Sequence, residues 1–138
     1  MPVSPELFRQ AMQNFPAGVT VVTSADAGGV PVGATVSAFC SLSFDPQLVL
    51  VSLTVHSRTT AAIRERGAFA INFLGINDGA LARLFAMDGS DKFSETAYTL
   101  NERGVPCLSD AGMRIECALF ADYPGGDHVI IAGELENV

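Results

Sequence analysis

The stretch VGATVSAFCSLSFDP, Val32 to Pro46, decides how this chain folds. It lies between two apolar runs typical of buried β-strands, GVTVVTS before it and QLVLVSLT after it. Its own side chains are mostly small or bear hydroxyl groups, at Ala34, Thr35, Ser37, Ala38, Ser41 and Ser43. Such a strand leaves room for a flat ligand to reach the backbone. Two structural explanations account for the same small residues: close packing against another backbone, or a strand edge that faces solvent. Residue type alone favours these explanations over a ligand site.

Before this stretch, the sequence predicts a helix and a hairpin. Ser4 can cap a helix whose first turn holds Pro5, and Pro16 ends it. Two strands follow, near residues 19–24 and 30–39. The loop ADAGG joins them, and its glycines suit a tight turn.

After this stretch, the pattern predicts four more strands and two more helices. The helices are SRTTAAIRERG, capped by Ser57 or Thr59, and NDGALARLFAMDG, capped by Asn77. The strands lie at 47–54, AFAINFLG, 113–123 and 128–134. About six strands with hairpin-like connections favour a mainly antiparallel barrel or sandwich with helices outside. An alternating α/β fold would need more helices and ranks second.

Length and charge limit what the chain can do. Its 138 residues suit one domain. The formal net charge is -7 and the eight basic residues are scattered, which disfavours nucleic-acid binding. No apolar run approaches the roughly 20 residues that span a bilayer, and the first ten residues lack a signal segment. We therefore expect a cytoplasmic protein that does not bind membranes.

The three cysteines, Cys40, Cys107 and Cys117, are odd in number and widely spaced. This pattern predicts neither a disulfide framework nor a zinc site, but reduced thiols in or near the core. Motifs for dinucleotide binding, P-loops, zinc proteases and serine hydrolases are also missing from the sequence. Of the two histidines, His56 and His128, neither has the local signature of a catalytic triad.

The segment VHSRTT, residues 55 to 60, places hydroxyl groups and an arginine at the start of a predicted helix. Backbone N–H groups carry partial positive charge there, so Ser57, Arg58 and Thr59 are candidates to hold a phosphate. An ordinary helix cap with a solvated arginine explains the pattern equally well.

Two loops offer further candidate residues. In PGGDHVII, the glycines make a tight turn that can hold His128 at the mouth of a pocket. Taken alone, an ordinary hairpin turn is the better explanation. In DGSDKFS, Lys92 is a candidate phosphate or partner contact, although a solvated loop is favoured.

Taken in order, these pieces resemble the flavin reductase-like family, the short-chain reductase components of two-component flavin monooxygenases. The matching pattern runs through FPAGVTVVTS, GATVSAFCSLSFDPQLVLVSL, SRTTAAIRERGAFAINFL, LARLFA, DKF, GVPCLSDAGMRIEC and GGDHVIIAGELENV. Their order and spacing carry the resemblance over nearly the whole chain.

The resemblance implies an antiparallel split β-barrel of Greek-key type with short peripheral helices, forming a single domain over residues 1–138. It also implies a homodimer that binds FMN or FAD near the subunit interface and uses NADH or NADPH as reductant. Family chains usually continue past the position of Val138. We therefore expect that a C-terminal strand is supplied by the partner subunit, lies outside this sequence, or has been lost.

The resemblance further implies a set of site residues. The strand along the flavin ring matches Thr35, Val36, Ser37 and Ala38, with Ser52 and Leu53 on the neighbouring strand. The flavin phosphate is expected at Ser57, Arg58 and Thr59, and the nicotinamide at Gly126, Asp127 and His128. His128 is the expected catalytic residue, orienting the nicotinamide or balancing the proton at the reduced flavin. A less constant part of the pattern matches Phe85 and Lys92.

The implied activity is an NAD(P)H:flavin oxidoreductase that supplies reduced flavin to a partner monooxygenase. Three alternatives remain from the sequence. A flavin store or electron carrier would use the same ring and phosphate site. An oxidase related to those acting on pyridoxamine phosphate would need a more basic pocket. A barrel without a cofactor would be colourless.

Overall fold

The fold is built around one curled antiparallel sheet. The structure, a computed structural model, describes residues 1–89 and 91–138. The helices are α1 (Pro5–Gln13), α2 (Arg58–Arg66) and α3 (Gly79–Ala86). The strands are β1 (Thr20–Ala25), β2 (Pro31–Val36), β3 (Phe39–Ser43), β4 (Leu48–Thr54), β5 (Ala68–Phe73), β6 (Tyr98–Leu100), β7 (Pro106–Leu108), β8 (Met113–Gly125) and β9 (His128–Asn137).

The order of strands explains why the sheet curls. Seven strands pair in the order β2-β1-β5-β8-β9-β4-β3, so β2 and β3 are the two edges although they are consecutive in the chain. Only Ser37 and Ala38 separate them. Because two residues cannot span a flat seven-stranded sheet, the sheet must curl until its edges approach each other. The expected mainly-β, antiparallel split barrel is confirmed.

The core fills the inside of this curled sheet. Phe69 and Ile71 on β5 and Ile131 on β9 belong to the core cluster and are completely buried. Ile63 joins the same cluster from α2, so this helix packs directly against the barrel. Helix α2 ends at Gly67, whose φ of 68° is the left-handed conformation that glycine adopts most readily.

Three local predictions were wrong. The single strand predicted at 30–39 is two strands, since the chain leaves one sheet edge at Ser37 and joins the other at Phe39. The hairpin of β6 and β7 was missed because strands of three residues are too short to show periodicity. Asn77 does not cap α3. The N-cap is Asp78, and its carboxylate instead accepts a hydrogen bond from the backbone N–H of Gly75 at 2.6 Å.

The cysteines divide into one exposed thiol and two buried thiols. Cys107 and Cys117 are buried as expected, but Cys40 is exposed on the edge strand β3, which corrects the expectation for this residue. Burial raises the pKa of Cys107 and raises that of Cys117 to about 12, so neither thiol readily forms the reactive thiolate.

We therefore expect one fast thiol per chain in a titration of the native protein with a chromogenic disulfide near neutral pH, and three after denaturation. Cys40→Ser should remove the fast phase. A second fast thiol in the native protein would show that the barrel opens at Cys107 or Cys117.

Among the residues that the structure describes, none of the helices is long and apolar enough to cross a membrane.

Candidate functional site

A cavity of about 440 Å³ lies between β2, the start of α2 and the segment that follows α3. We call it the β2–α2 cavity. Five residues that the sequence singled out meet in its wall: Ser57, Arg58, Thr59, Phe85 and Lys92. They come from two segments more than 25 residues apart, so the fold brings together what the sequence presented as separate motifs.

The start of α2 is held rigidly by its own hydroxyl groups. Ser57 Oγ accepts from the backbone N–H of Thr60 at 3.0 Å. Thr60 Oγ1 donates to the Thr54 carbonyl at 2.8 Å, so Ser57 must be the donor in the 2.8 Å contact between the two hydroxyls. The Ser57 hydroxyl is therefore used by the cap. The first backbone N–H groups of α2, those of Arg58 and Thr59, have no partner within the helix and can bind an anion.

Two basic side chains face this helix start. The Lys92 ammonium donates to the carbonyls of Gly33 at 3.2 Å and Phe85 at 3.0 Å, which leaves one N–H for a ligand. Burial lowers the pKa of Lys92, the charge of Asp88 raises it, and the nearby charge of Arg58 lowers it further. Arg58 itself is exposed.

The basic side chains of the described residues differ in whether a carboxylate neutralises them. Among the described residues, Arg64, Arg103 and Arg114 each form an ion pair with a carboxylate, and neither Arg58 nor Lys92 does. In a protein with a net charge of -7, positive charge that is only partly balanced by Asp88 therefore collects at the β2–α2 cavity. Such a site attracts an anionic group.

The small residues of β2 are explained partly by packing. The Thr35 hydroxyl donates to the Ala82 carbonyl of α3 at 2.5 Å. A Cβ on Gly33 would lie 2.8 Å from Cε1 of Phe85, so only glycine lets α3 approach the strand this closely. Close packing against α3 thus accounts for the small residues of β2. The backbone of Gly33 and Ala34 nevertheless lines the cavity.

The remaining residues predicted along the flavin ring have different environments. Val36 and Leu53 are buried in the core, so only their backbone groups can meet a ligand. Ser37 and Ala38 are exposed where the two sheet edges approach. Ser52 is half-buried and its N–H donates to the Ala38 carbonyl at 3.0 Å. This exposed link between the edges is the accessible part of the predicted ring site.

The turn between β8 and β9 carries the predicted histidine. His128 Nδ1 lies 2.7 Å from Oδ1 of Asp127, and this hydrogen bond lowers the pKa of the Asp127 carboxyl. With Nδ1 directed at the carboxylate, the other ring nitrogen, Nε2, is free to meet a ligand. His128 and Gly126 line a second cavity of about 170 Å³, whereas Asp127 is exposed and does not line it.

The two cavities adjoin at the end of β4. Thr54 lines the β2–α2 cavity and is the direct partner of His128 in the register between β4 and β9. The next residue, Val55, lines the histidine cavity and donates its N–H to the Asp127 carbonyl at 3.0 Å. The end of β4 therefore contributes residues to both cavities.

A third and larger cavity, about 1010 Å³, lies at the opposite end of β9. Both arginines that line it are paired with carboxylates, Arg103 with Glu136 and Arg114 with Glu116. Glu116 accepts hydrogen bonds from Asn101 at 3.0 Å, Arg114 at 3.1 Å and Asn137 at 3.3 Å. Because its cations are neutralised, this cavity is a poorer site for a phosphate than the β2–α2 cavity.

Sequence reasoning missed several lining residues of the β2–α2 cavity, including Gly33, Thr54 and His56. The position of His56 directly before Ser57 was a signal that could have found it. Nothing local could place Gly33 or Thr54 in the site, since each belongs to an ordinary strand. Within the ranges 1–89 and 91–138, no group of three or more His, Cys, Asp or Glu side chains is arranged to hold a metal ion.

Comparisons with known proteins show which family the chain resembles in sequence. Residues 12–138 match the family described as the flavin reductase like domain. The chain is 41% identical over 134 residues to the reductase component of 4-nitrophenol 4-monooxygenase/4-nitrocatechol 2-monooxygenase from Rhodococcus opacus, covering 97% of this chain and 71% of the relative. It is 39% identical over 128 residues to the FMN reductase (NADH) SmoA of Agrobacterium fabrum, covering 93% and 72%.

A solved structure extends the similarity to three dimensions. The NADH:FAD oxidoreductase SgcE6 of Streptomyces globisporus, in complex with NAD and FAD fragments, superimposes with a TM-score of 0.89 at 33% identity. The match covers 99% of this chain and 84% of that one. The curled sheet, the matched residues and these relatives together show that the chain belongs to the flavin reductase-like family.

Proposed function

We propose that this chain reduces FMN or FAD with NADH or NADPH and supplies the reduced flavin to a partner monooxygenase. It is a flavin oxidoreductase, and the expectation of flavin as substrate and NADH as reductant agrees with the names of its relatives. One observation carries the proposal for this chain's own residues. The β2–α2 cavity, with two cations and a free helix start, adjoins the cavity of His128.

The donors of the cavity fit a flavin phosphate. The backbone N–H groups of Arg58 and Thr59, with the side chains of Arg58 and Lys92, offer several hydrogen bonds to phosphate oxygens. The absent side chain of Gly33 keeps the strand backbone open beside them. The exposed link at Ser37 and Ala38 is proposed to flank the ring.

A bound flavin supplies the ring that accepts a hydride from C4 of the nicotinamide at N5. The protein contributes alignment rather than a covalent nucleophile. His128, held by Asp127 at 2.7 Å, orients the nicotinamide through Nε2 and excludes water from one side. The walls made by Phe85 and the helix start hold the phosphate end while the nicotinamide enters from the histidine side.

The test is to follow the nicotinamide absorbance after NADH or NADPH is mixed with purified protein and excess FMN or FAD. Turnover in at least one of the four pairings supports the proposal. A yellow protein that turns over none of them would be a flavin store or electron carrier. A colourless protein that ignores added flavin would overturn the flavin site altogether.

Arg58→Ala should weaken FMN binding about tenfold, the lower end of the range for a charged hydrogen bond because Arg58 is exposed. Fluorescence titration measures the dissociation constant. Arg83→Ala is the matched control, since Arg83 is an exposed arginine on α3 that does not line the cavity. Equal FMN affinity in the parent and Arg58→Ala would remove Arg58 from the phosphate site.

We also propose that the chain forms a homodimer through α1. This helix has nine residues and buries none of them, and it exposes Leu7, Phe8 and Met12. A helix shorter than about 12 residues is marginal without packing, so this apolar face needs cover. Phe8→Ser with Met12→Ser should shift the mass measured by sedimentation from two chains to one. A parent that sediments as one chain would contradict the dimer.

Two further proposals concern the cell. A flavin-dependent monooxygenase is the proposed receiver of the reduced flavin, as the name of the Rhodococcus opacus relative states for that protein. A cytoplasmic location suits the three free thiols, because that compartment keeps cysteines reduced.

A further inference from the structure

His56 lines the β2–α2 cavity but has no role in the site described so far. It lies between Thr54, the last residue of β4, and Ser57, the cap of α2. The hydrogen bonds that hold Ser57 and Thr60 also fix the backbone on both sides of it. The His56 side chain is exposed, so its charge can change without disturbing the core.

The charged groups that face His56 come from two sides of the cavity. On its own segment lie Arg58 and the positive end of the α2 dipole. Across the cavity, the segment after α3 contributes Lys92 and Asp88, whose charges oppose each other. The excess is positive, so a bound phosphate is already attracted and one more positive charge would strengthen that attraction.

We propose that His56 is a specificity residue for the phosphate of the flavin, adding a positive charge to the β2–α2 cavity when it is protonated and so making phosphate affinity depend on pH. This rests on the proposed function. Arg58 keeps its charge near neutral pH, whereas histidine is the side chain that gains or loses charge there. Protonated His56 strengthens phosphate binding in mild acid. Without this charge on His56 the same phosphate is held less tightly.

The experiment compares FMN with riboflavin, which has the same ring and no phosphate. Dissociation constants for both are measured by fluorescence titration at about pH 5.5 and about pH 8, for the parent, His56→Gln and His56→Arg. The ratio of the riboflavin dissociation constant to the FMN dissociation constant measures how much the phosphate contributes to binding. The phosphate of free FMN titrates near pH 6 and is the same ligand in all three titrations, so differences between the proteins report on residue 56.

Between the two pH values, the parent should lose about two- to fivefold more of its preference for FMN than His56→Gln does, the range for an exposed charge pair. His56→Arg carries a permanent charge, so its preference for FMN should match the parent's at about pH 5.5 and exceed it at about pH 8. The same pH dependence in the parent and His56→Gln would overturn the proposal for His56 alone. If the parent neither binds FMN nor oxidises NADH with it, the proposed function fails as well.

Discussion

Gly133→Ala is expected to lower the free energy of unfolding by about 3 kcal/mol, at the upper end for overpacking a dense core. The added Cβ would lie 2.8 Å from Cβ of Cys117 and 2.9 Å from Cε1 of Phe69, and closer still to Cζ of that ring. Both neighbours are buried in the core. Gly133 is also paired with Val49 on one side and Leu119 on the other, so its strand cannot move aside.

Urea unfolding followed by circular dichroism measures this effect. Gly112→Ala is the control, because a Cβ there meets nothing within 4 Å and should change stability by less than about 0.5 kcal/mol. Phe69→Leu combined with Gly133→Ala should cost less than the sum of the two single changes, since both act on the same contact. A loss under about 1 kcal/mol for Gly133→Ala would mean that the barrel core has room at this point.

His128→Ala is expected to slow hydride transfer by about tenfold to a hundredfold, because a small misplacement of the nicotinamide is costly in rate. FMN affinity should change little, since the anion-binding groups belong to the adjoining cavity. Stopped-flow measurement of nicotinamide oxidation at saturating flavin gives the rate.

Asp127→Asn is the graded companion to this variant. It keeps a hydrogen-bond partner for Nδ1 of His128 but removes the charge that the 2.7 Å contact provides, so the rate should fall less than in His128→Ala. If His128→Ala and the parent are reduced at the same rate, the histidine does not orient the nicotinamide. If FMN binding falls in parallel with the rate, His128 belongs to the flavin site instead.

Much of the local structure could be predicted because its causes lie within a few residues. Helix α2 is capped by Ser57 and Gly67 through contacts with residues three or four positions away. The run of small and hydroxyl-bearing residues predicted the strand that contains β2. The turn residues before His128 predicted the hairpin of β8 and β9. By contrast, the cap of α3 was misplaced by one residue because Asn77 and Asp78 offer the same chemistry to a helix start.

Only the tertiary structure decided the arrangement of the site. The sequence by itself determined the mainly antiparallel strand pattern, the family and the helix start at Ser57. It could not show that β2 and β3 form opposite edges of one curled sheet, or that Lys92 bonds to the carbonyl of Gly33, 59 residues away. Nor could it place His56 in the same cavity as Lys92. Capping and alternation act between near neighbours along the chain, whereas a cavity exists only where distant segments are packed together, and that packing depends on the whole core.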